Sequence, residues 1–291
     1  MKARIGVIGG SGIYEMDGIK NLKEIEVATP FGKPSDKLMV GELAGEKVAF
    51  LPRHGKGHRI MPSGINFKAN IYAMKYLGVE WIISLSAVGS MKENISPGEV
   101  VVVDQFFDRT KTRPLSFFGN GLVGHVSFAN PVCPVLADIV YKACQKAEAK
   151  VHKGGTYICI EGPQFSTLGE SLIYRKWGVD LIGMTAIPEV KLAREAEICY
   201  STLALVTDYD CWHPDHDAVS VEMVVQQLLS NSAIARKIIR QAIPLIPVDR
   251  NKCGCGRALE NALMTSPQAM DKTMLKNLDI IVGKYLKKRR K

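Results

Sequence analysis

Apolar residues along the chain follow two rhythms. Nearly unbroken apolar runs at 4–8, 81–85, 99–103, 156–160, 181–183 and 202–206 have the length and β-branched content of buried strands. Between them, apolar residues recur at three- and four-residue spacing. In 67–77 these are Phe67, Ile71, Met74 and Leu77, and Gly78 sits where a helix would stop. Similar segments predict helices over 134–149, 170–177, 188–199 and 219–243, and an appended amphipathic helix over 268–288. Residues 37–40 and 47–51 read as a hairpin turning at Gly45. Residues 104–131 mix polar, aromatic and glycine positions without a period, which predicts a long irregular connection acting as a lid or a subunit contact. Strands alternating with helices define an α/β fold, and the stretch 49–85 is a βαβ unit.

In a parallel sheet, ligands bind beyond the carboxyl ends of the strands. Two polar loops follow strands of this unit. One is Arg53-His54-Gly55-Lys56-Gly57-His58-Arg59, and the other is Ser86-Ala87-Val88-Gly89-Ser90. Arg53 is a forked, permanently charged donor, Ser86 adds a hydroxyl, and Gly89 and Ser90 let backbone N–H groups turn toward a ligand. Each loop alone reads as ordinary solvated surface; two at one sheet edge point to an oxyanion site. The first strand ends in Gly9-Gly10-Ser11-Gly12. This misses the dinucleotide fingerprint, because Glu15 falls where its last glycine belongs, but Ser11 stands as a candidate phosphate ligand.

The strand at 202–206 delivers Asp208 and Asp210 on either side of Tyr209. Paired carboxylates serve metal binding, glycosidic cleavage or general acid–base chemistry. His213, Asp215, His216 and Asp217 follow in a proline-broken turn that reads as solvated surface, so no metal is expected. A carboxylic acid facing a heterocycle can give its proton to a ring nitrogen and stabilise a departing base. Beside an anion site, that suggests phosphate attacking a sugar carbon while a base leaves.

With 291 residues, the chain can bury a sizeable core as one large domain. Its formal net charge is +9, and Lys284, Lys287, Lys288, Arg289, Arg290 and Lys291 crowd its end. Nucleic-acid binding is the competing reading of that charge. Aromatics are not interleaved with the basic residues and no nucleic-acid motif occurs, so no specific nucleic-acid partner is expected. No run reaches the length of a membrane span and no signal peptide is recognisable, which predicts a cytoplasmic protein without a membrane partner. The seven cysteines contain no CxxC pair; Cys253-Gly254-Cys255 reads equally as two free thiols or as a redox-active pair.

The stretches GVIGGSG, TPFGKPSD, 51–91, DQFFDRT, IEGPQFS, GMTAIPEV and TDYDCW resemble those of the trimeric purine nucleoside phosphorylases, over about residues 4 to 265. The resemblance implies a single domain with a mixed, twisted central β-sheet flanked by helices over 1–250. Residues 251–291 would then be an extension carrying the CxC pair, the amphipathic helix and the basic tail. It implies reversible phosphorolysis of 5′-methylthioadenosine, with inorganic phosphate as co-substrate and no metal or organic cofactor. An adenosine- or inosine-cleaving enzyme of the same fold is the alternative. By motif position, Ser11, Arg53, His54, Ser86 and Thr185 fall to phosphate, with Ala87 lining the same pocket. Met184 falls to the ribose, Phe165 to the purine, Asp208 to its N7 edge and Asp210 to its exocyclic amine. His125, Val221 and Val224 would shape the 5′ subsite, His125 from a neighbouring subunit. Relatives that cleave 6-oxopurines carry asparagine where Asp208 stands, which implies a 6-aminopurine here. The resemblance also implies a homotrimer, or a hexamer if the tail pairs trimers. Some thermophilic archaeal relatives form extra disulfides, and their pattern implies bridges 133–199 and 253–255.

Overall fold

The eight predicted strands gather with three more, at 20–25, 105–109 and 151–153, into one eleven-stranded sheet. The computed structural model describes residues 2–10, 18–119, 121–215 and 219–289; Ser11, His216, Asp217 and the final Arg290 and Lys291 lie outside them. The chain begins with β1 (Ile5–Gly9), β2 (Lys20–Ile25), β3 (Leu38–Leu43), β4 (Glu46–Pro52), α1 (Phe67–Tyr76) and β5 (Trp81–Ser90). It continues with β6 (Val100–Val103), β7 (Gln105–Arg109), α2 (Pro134–Lys146), β8 (Val151–Lys153), β9 (Thr156–Ile160), α3 (Leu168–Lys176) and β10 (Leu181–Gly183). It ends with α4 (Glu189–Glu195), β11 (Cys199–Asp208), α5 (Val221–Ala242), α6 (Lys272–Asn277) and α7 (Asp279–Arg289).

β5 is the hub. It pairs in parallel with β1 through Trp81–Ser84 and with β11 along Trp81–Gly89, and its last two residues pair antiparallel with β10. Successive side chains of a strand point to opposite faces, and the core divides accordingly. Ile5, Val7, Trp81, Ile83 and Leu85 pack with Leu136 and Val140 of α2 and Ile238 and Ile239 of α5. Ile8 and Ile82 pack on the other face with Ile71 and Met74 of α1, Val190 of α4, and Ile281 and Val282 of α7. The result is a helix–sheet–helix sandwich. Each fully buried aliphatic side chain contributes about 1.5–3 kcal/mol, so the two apolar layers fix the strand ends that carry the chemistry.

Local signals place the helices. Asn66 caps α1 by accepting from the Ala69 N–H at 3.1 Å, and Thr167 and Glu170 form a capping box on α3. The hairpin of β3 and β4 turns at Ala44-Gly45, both at positive φ, as a two-residue turn requires.

Several elements depart from the sequence reading, which also did not foresee β2 and β8. Residues 86–90 are not a loop but the second half of β5, held extended by pairing with β11 and β10. Part of the irregular connection is a strand: β7 lies at one end of the sheet path against β9, and its alternating half-exposure hides the apolar signal. The helix expected over 188–199 ends at Glu195, where Glu197 at φ 57° reverses the chain and lets β11 begin at Cys199. The single helix expected over 268–288 is two helices broken at Leu278, which is buried in the core between α1 and α7. Among the described residues, no helix is long and apolar enough to cross a membrane.

Candidate active site

Several strands end at one edge, and the polar groups collect there in two clusters. The first is built on β4, β5 and β10. Arg53, immediately after β4, is buried and forms a bidentate pair with Glu189, Nε to Oε2 at 2.8 Å and Nη2 to Oε1 at 2.9 Å. Its Nη2 also donates to Ser84 Oγ at 2.7 Å, and Nη1 donates to the Leu85 carbonyl at 2.9 Å. Four of its five N–H groups are thus committed to the protein. Glu189 accepts from Ser84 Oγ at 2.7 Å and Tyr200 Oη at 2.9 Å as well. Burial works against the charge on Arg53, and the adjoining Glu189 carboxylate more than offsets it, so the guanidinium is held charged.

Beside this pair, Ser86 Oγ lies 3.1 Å from Thr185 Oγ1 and 3.0 Å from Tyr157 Oη. Thr185 lies just past β10, which runs back along the end of β5, so the antiparallel register sets the two hydroxyls side by side. Tyr157 is fully buried, and burial pushes its phenol up to about 12, so it stays protonated. Its hydroxyl fits only because residue 183 is glycine: a Cβ there would meet the Tyr157 Oη at 2.1 Å. His54 puts Nδ1 2.8 Å from the Ile60 carbonyl and stacks on His58 with ring centroids 4.1 Å apart. A carbonyl only accepts, so the proton sits on Nδ1 and Nε2 presents a lone pair. Burial first, then the Arg53 and His58 charges, lower the imidazole to about 4, which keeps it neutral.

The second cluster is built on the end of β11. Asp208 pairs with Gly89, where a Cβ would meet Asp208 Oδ1 at 2.7 Å, so the carboxyl lies directly against the β5 backbone. Its Oδ2 accepts from Thr207 Oγ1 at 2.6 Å and its Oδ1 from the Asp210 N–H at 2.8 Å. Burial pushes the carboxyl above its ordinary value, and those two hydrogen bonds pull it back without cancelling the shift. Asp210 is also raised, first by burial and then by the neighbouring charge of Asp208. It sits at φ 54°, and its carbonyl accepts from the Val219 N–H at 3.1 Å, which ties the start of α5 to this corner. Cys211 Sγ donates to the Ser166 carbonyl at 3.5 Å, which draws the loop carrying Phe165 to the same corner.

Arg113 joins the loops between the clusters. It donates to the carbonyls of Met184 at 2.7 Å, Ile187 at 2.6 Å, Glu161 at 2.7 Å and Ile160 at 3.4 Å. Glu161 in turn accepts from Ser63 Oγ at 2.6 Å and from Lys111 N. Burial would raise that carboxyl, but the hydrogen bonds and the charge of Arg113 hold it at about 2.

The structure therefore brings Arg53, His54, Ser86, Ala87 and Thr185 to one side and Asp208 and Asp210 to the other, with the Met184 carbonyl held by Arg113. Phe165 is 39% exposed, Val221 68% exposed, Val224 half-buried and His125 exposed. Ser11 lies outside the described residues. Sequence reasoning missed Tyr157, Thr207 and Arg113. Tyr157 is hidden in an apolar run, and Thr207, expected just past the strand, lies within β11 beside Asp208. Arg113 was swallowed by the aperiodic 104–131, though a lone arginine before Pro114 was the available signal. The structure holds neither of the expected bridges 133–199 and 253–255: all seven cysteines are free thiols, and Cys133, Cys199, Cys253 and Cys255 meet as one group.

Buried hydroxyls, an arginine–glutamate pair and two carboxyls raised by burial thus gather at one edge of a mixed sheet, and the chain belongs to the phosphorylase superfamily, whose model matches residues 4–244. The similar proteins narrow the class. The chain is 55% identical over 285 residues to an S-methyl-5′-thioadenosine phosphorylase of Koribacter versatilis, covering 98% of this chain and 97% of that one. It is 55% identical over 287 residues to the same enzyme of Geobacter sulfurreducens, covering 98% and 100%. Among solved structures, a methylthioadenosine phosphorylase from an antarctic soil metagenomic library superposes with TM-score 0.92 at 49% identity, covering 96% and 99%. A Schistosoma mansoni methylthioadenosine phosphorylase in complex with adenine superposes with TM-score 0.80 at 34% identity, covering 97% and 98%.

Proposed function

We propose that this chain catalyses reversible phosphorolysis of S-methyl-5′-thioadenosine, yielding adenine and 5-methylthioribose 1-phosphate for purine and methionine salvage. The observation that carries the reading is Asp208, a buried carboxyl with a raised pKa facing a second buried carboxyl across from an anion cradle. Glycosidic cleavage leaves charge on the purine. A protonated Asp208 gives its proton to N7 as that charge develops, while Asp210 accepts from the exocyclic amine. A hydrogen bond of this charged kind is worth about 1.5–3 kcal/mol.

On the opposite face, phosphate attacks the sugar carbon. Ser86 and Thr185 donate hydroxyls to it, Ser11 and the backbone beside Ala87 add donors, and His54 accepts from its protonated oxygen. Arg53 acts chiefly by charge and by its one uncommitted N–H, because its fork is occupied by Glu189. Met184 borders the ribose and Phe165 the base. Val221, Val224 and a neighbouring subunit's His125 form the 5′ subsite, which suits a trimer, or a hexamer of paired trimers. No metal or organic cofactor takes part, residues 1–250 carry the reaction, and the protein works in the cytoplasm. An apolar 5′ subsite rejects an added hydroxyl only about 10²-fold, so adenosine is a secondary substrate.

Base release from methylthioadenosine, adenosine and inosine, each with and without phosphate, tests this. Adenine released from methylthioadenosine only with phosphate, and faster than from adenosine, is the expected outcome. Release without phosphate would make the enzyme a hydrolase, and inosine turning over fastest would remove the role given to Asp208.

A further inference from the structure

Four of the seven cysteines converge at the end of the sheet opposite the active site. Cys133 is the N-cap of α2, Cys199 opens β11, and Cys253 and Cys255 flank Gly254 in a tight turn. Their sulfurs all lie within 4.8 Å of one another. Cys133, Cys199 and Cys255 are buried and Cys253 is half-buried. The backbone holds them in place: the Cys133 N–H donates to the Tyr200 carbonyl at 2.9 Å and the Cys253 N–H to the Arg250 carbonyl at 3.2 Å. Arg250 itself donates to the Glu197 carbonyl at 2.6 Å, two residues before β11.

The spacing of the sulfurs discriminates between two chemistries. Cys199 Sγ stands 3.5 Å from Cys253 Sγ. Bonded sulfurs lie about 2.05 Å apart. Two sulfurs on one tetrahedral zinc, each with a bond of about 2.3 Å, lie about 3.8 Å apart. The observed separation is far from a bonded pair and close to the second value, and four sulfurs gathered within 4.8 Å of one another supply the number of donors that a tetrahedral shell needs.

We propose that Cys133, Cys199, Cys253 and Cys255 form a closed tetrathiolate site for a divalent soft metal, zinc foremost, that fastens the 253–255 turn to the start of β11 and the head of α2. Each thiol releases its proton on binding, so four protons leave and the four thiolates with one divalent ion carry a net charge of minus two. Arg194 faces that charge, with Nη1 3.7 Å from Cys255 Sγ. The N-terminal end of α2, whose dipole favours anions, starts at Cys133. With all four positions filled by protein, the metal has no place for water or substrate, so its role is structural. Cys199 and Asp208 are opposite ends of one ten-residue strand, about 30 Å apart at the usual rise, which separates the site from the reaction.

The test uses the full-length chain, reduced, mixed with one equivalent of zinc, passed through gel filtration and analysed for metal by plasma mass spectrometry. One zinc per chain is expected. Cobalt in its place should give the thiolate-to-cobalt charge-transfer bands of a tetrahedral site. The double variant Cys253→Ser, Cys255→Ser should retain about ten-fold less zinc or lower, with phosphorolysis intact and a Tm no longer lowered by chelator. Should that variant not fold, Cys253→Ser alone, at the half-buried ligand, serves the same purpose. No zinc retained by the reduced parent protein, or equal retention by the variant, overturns the proposal. So does unreduced protein whose mass is four hydrogens light, since two disulfides would then hold the same four sulfurs.

Discussion

The two clusters at the sheet edge handle buried charge in opposite ways. Around Arg53 the charge is fixed. The guanidinium and Glu189 are both buried, and Ser84, Tyr200 and the Leu85 carbonyl saturate them. Around Asp208 the charge is movable. Two buried carboxyls stand together, supported by a hydroxyl and a backbone N–H rather than by a cation. Burial pushes both toward the neutral form. The same enclosure that would destabilise an unpaired ion makes the first cluster a rigid electrostatic anchor and raises both carboxyls of the second, which on the proposed function serves as a proton store. Rigidity suits an anion that must be held, and a loose proton suits a base that must be paid in protons as it leaves.

The largest expected effect comes from unbalancing the anchor. Glu189→Gln leaves a buried guanidinium without its counter-charge, which should cost about 3–5 kcal/mol of stability and most of the activity. Denaturant unfolding checks it, and an unchanged midpoint would mean that the pair is not the anchor described. Next is the proton store. Asp208→Asn should lower kcat/KM on methylthioadenosine by about 10²–10³ while sparing inosine relatively, as a substrate panel would reveal.

The pH dependence follows from the direction of the shift. Catalysis that needs protonated Asp208 is present below its folded pKa and lost as pH rises through it. Stability runs the same way: the folded state keeps a proton that the unfolded chain, near its ordinary value of about 3.9, has already released, so stability falls as pH rises across that window. Asp208→Asn should abolish the alkaline limb assigned to this group in the kcat/KM profile. A limb that persists unchanged belongs to another residue. The smallest effect sharpens the boundary between the clusters. Gly183→Ala pushes a Cβ onto the Tyr157 hydroxyl, an overpacking worth about 1–3 kcal/mol. It should raise the phosphate KM and leave the nucleoside KM nearly unmoved; equal changes in both would dissolve the distinction drawn here.

How much of this was legible in the sequence varied with the kind of signal. Phe67, Ile71, Met74 and Leu77 announced α1 because packing on one face imposes a period, and the α/β alternation followed from such local rules. Ser86 to Ser90 read as a loop because small polar residues carry no strand propensity. Pairing with β11 overrode composition, which no local pattern reports. Asp208 and Asp210 were visible as a pair, but their protonation depends on enclosure by elements far away in sequence. Arg53 was visible as a cation, but its partner Glu189 lies 136 positions on. The four cysteines were singled out only through the resemblance, and as two pairs, since the spacing of Cys133, Cys199 and the 253–255 turn along the chain bears no relation to their meeting in space as one group.

Arg113 directs its strongest contacts at main-chain carbonyls, those of Met184, Ile187, Ile160 and Glu161. Every amino acid supplies the same carbonyl. The side chains at Met184 and Ile160 are therefore not tied to this network by their identity, whereas the Glu161 carboxylate also pairs with Arg113 and Ile187 is packed in the core. On the proposed function, substrate range can drift at Met184 without the architecture drifting with it, and a library meant to alter the sugar end should vary that position and hold Arg113 and Glu161 constant.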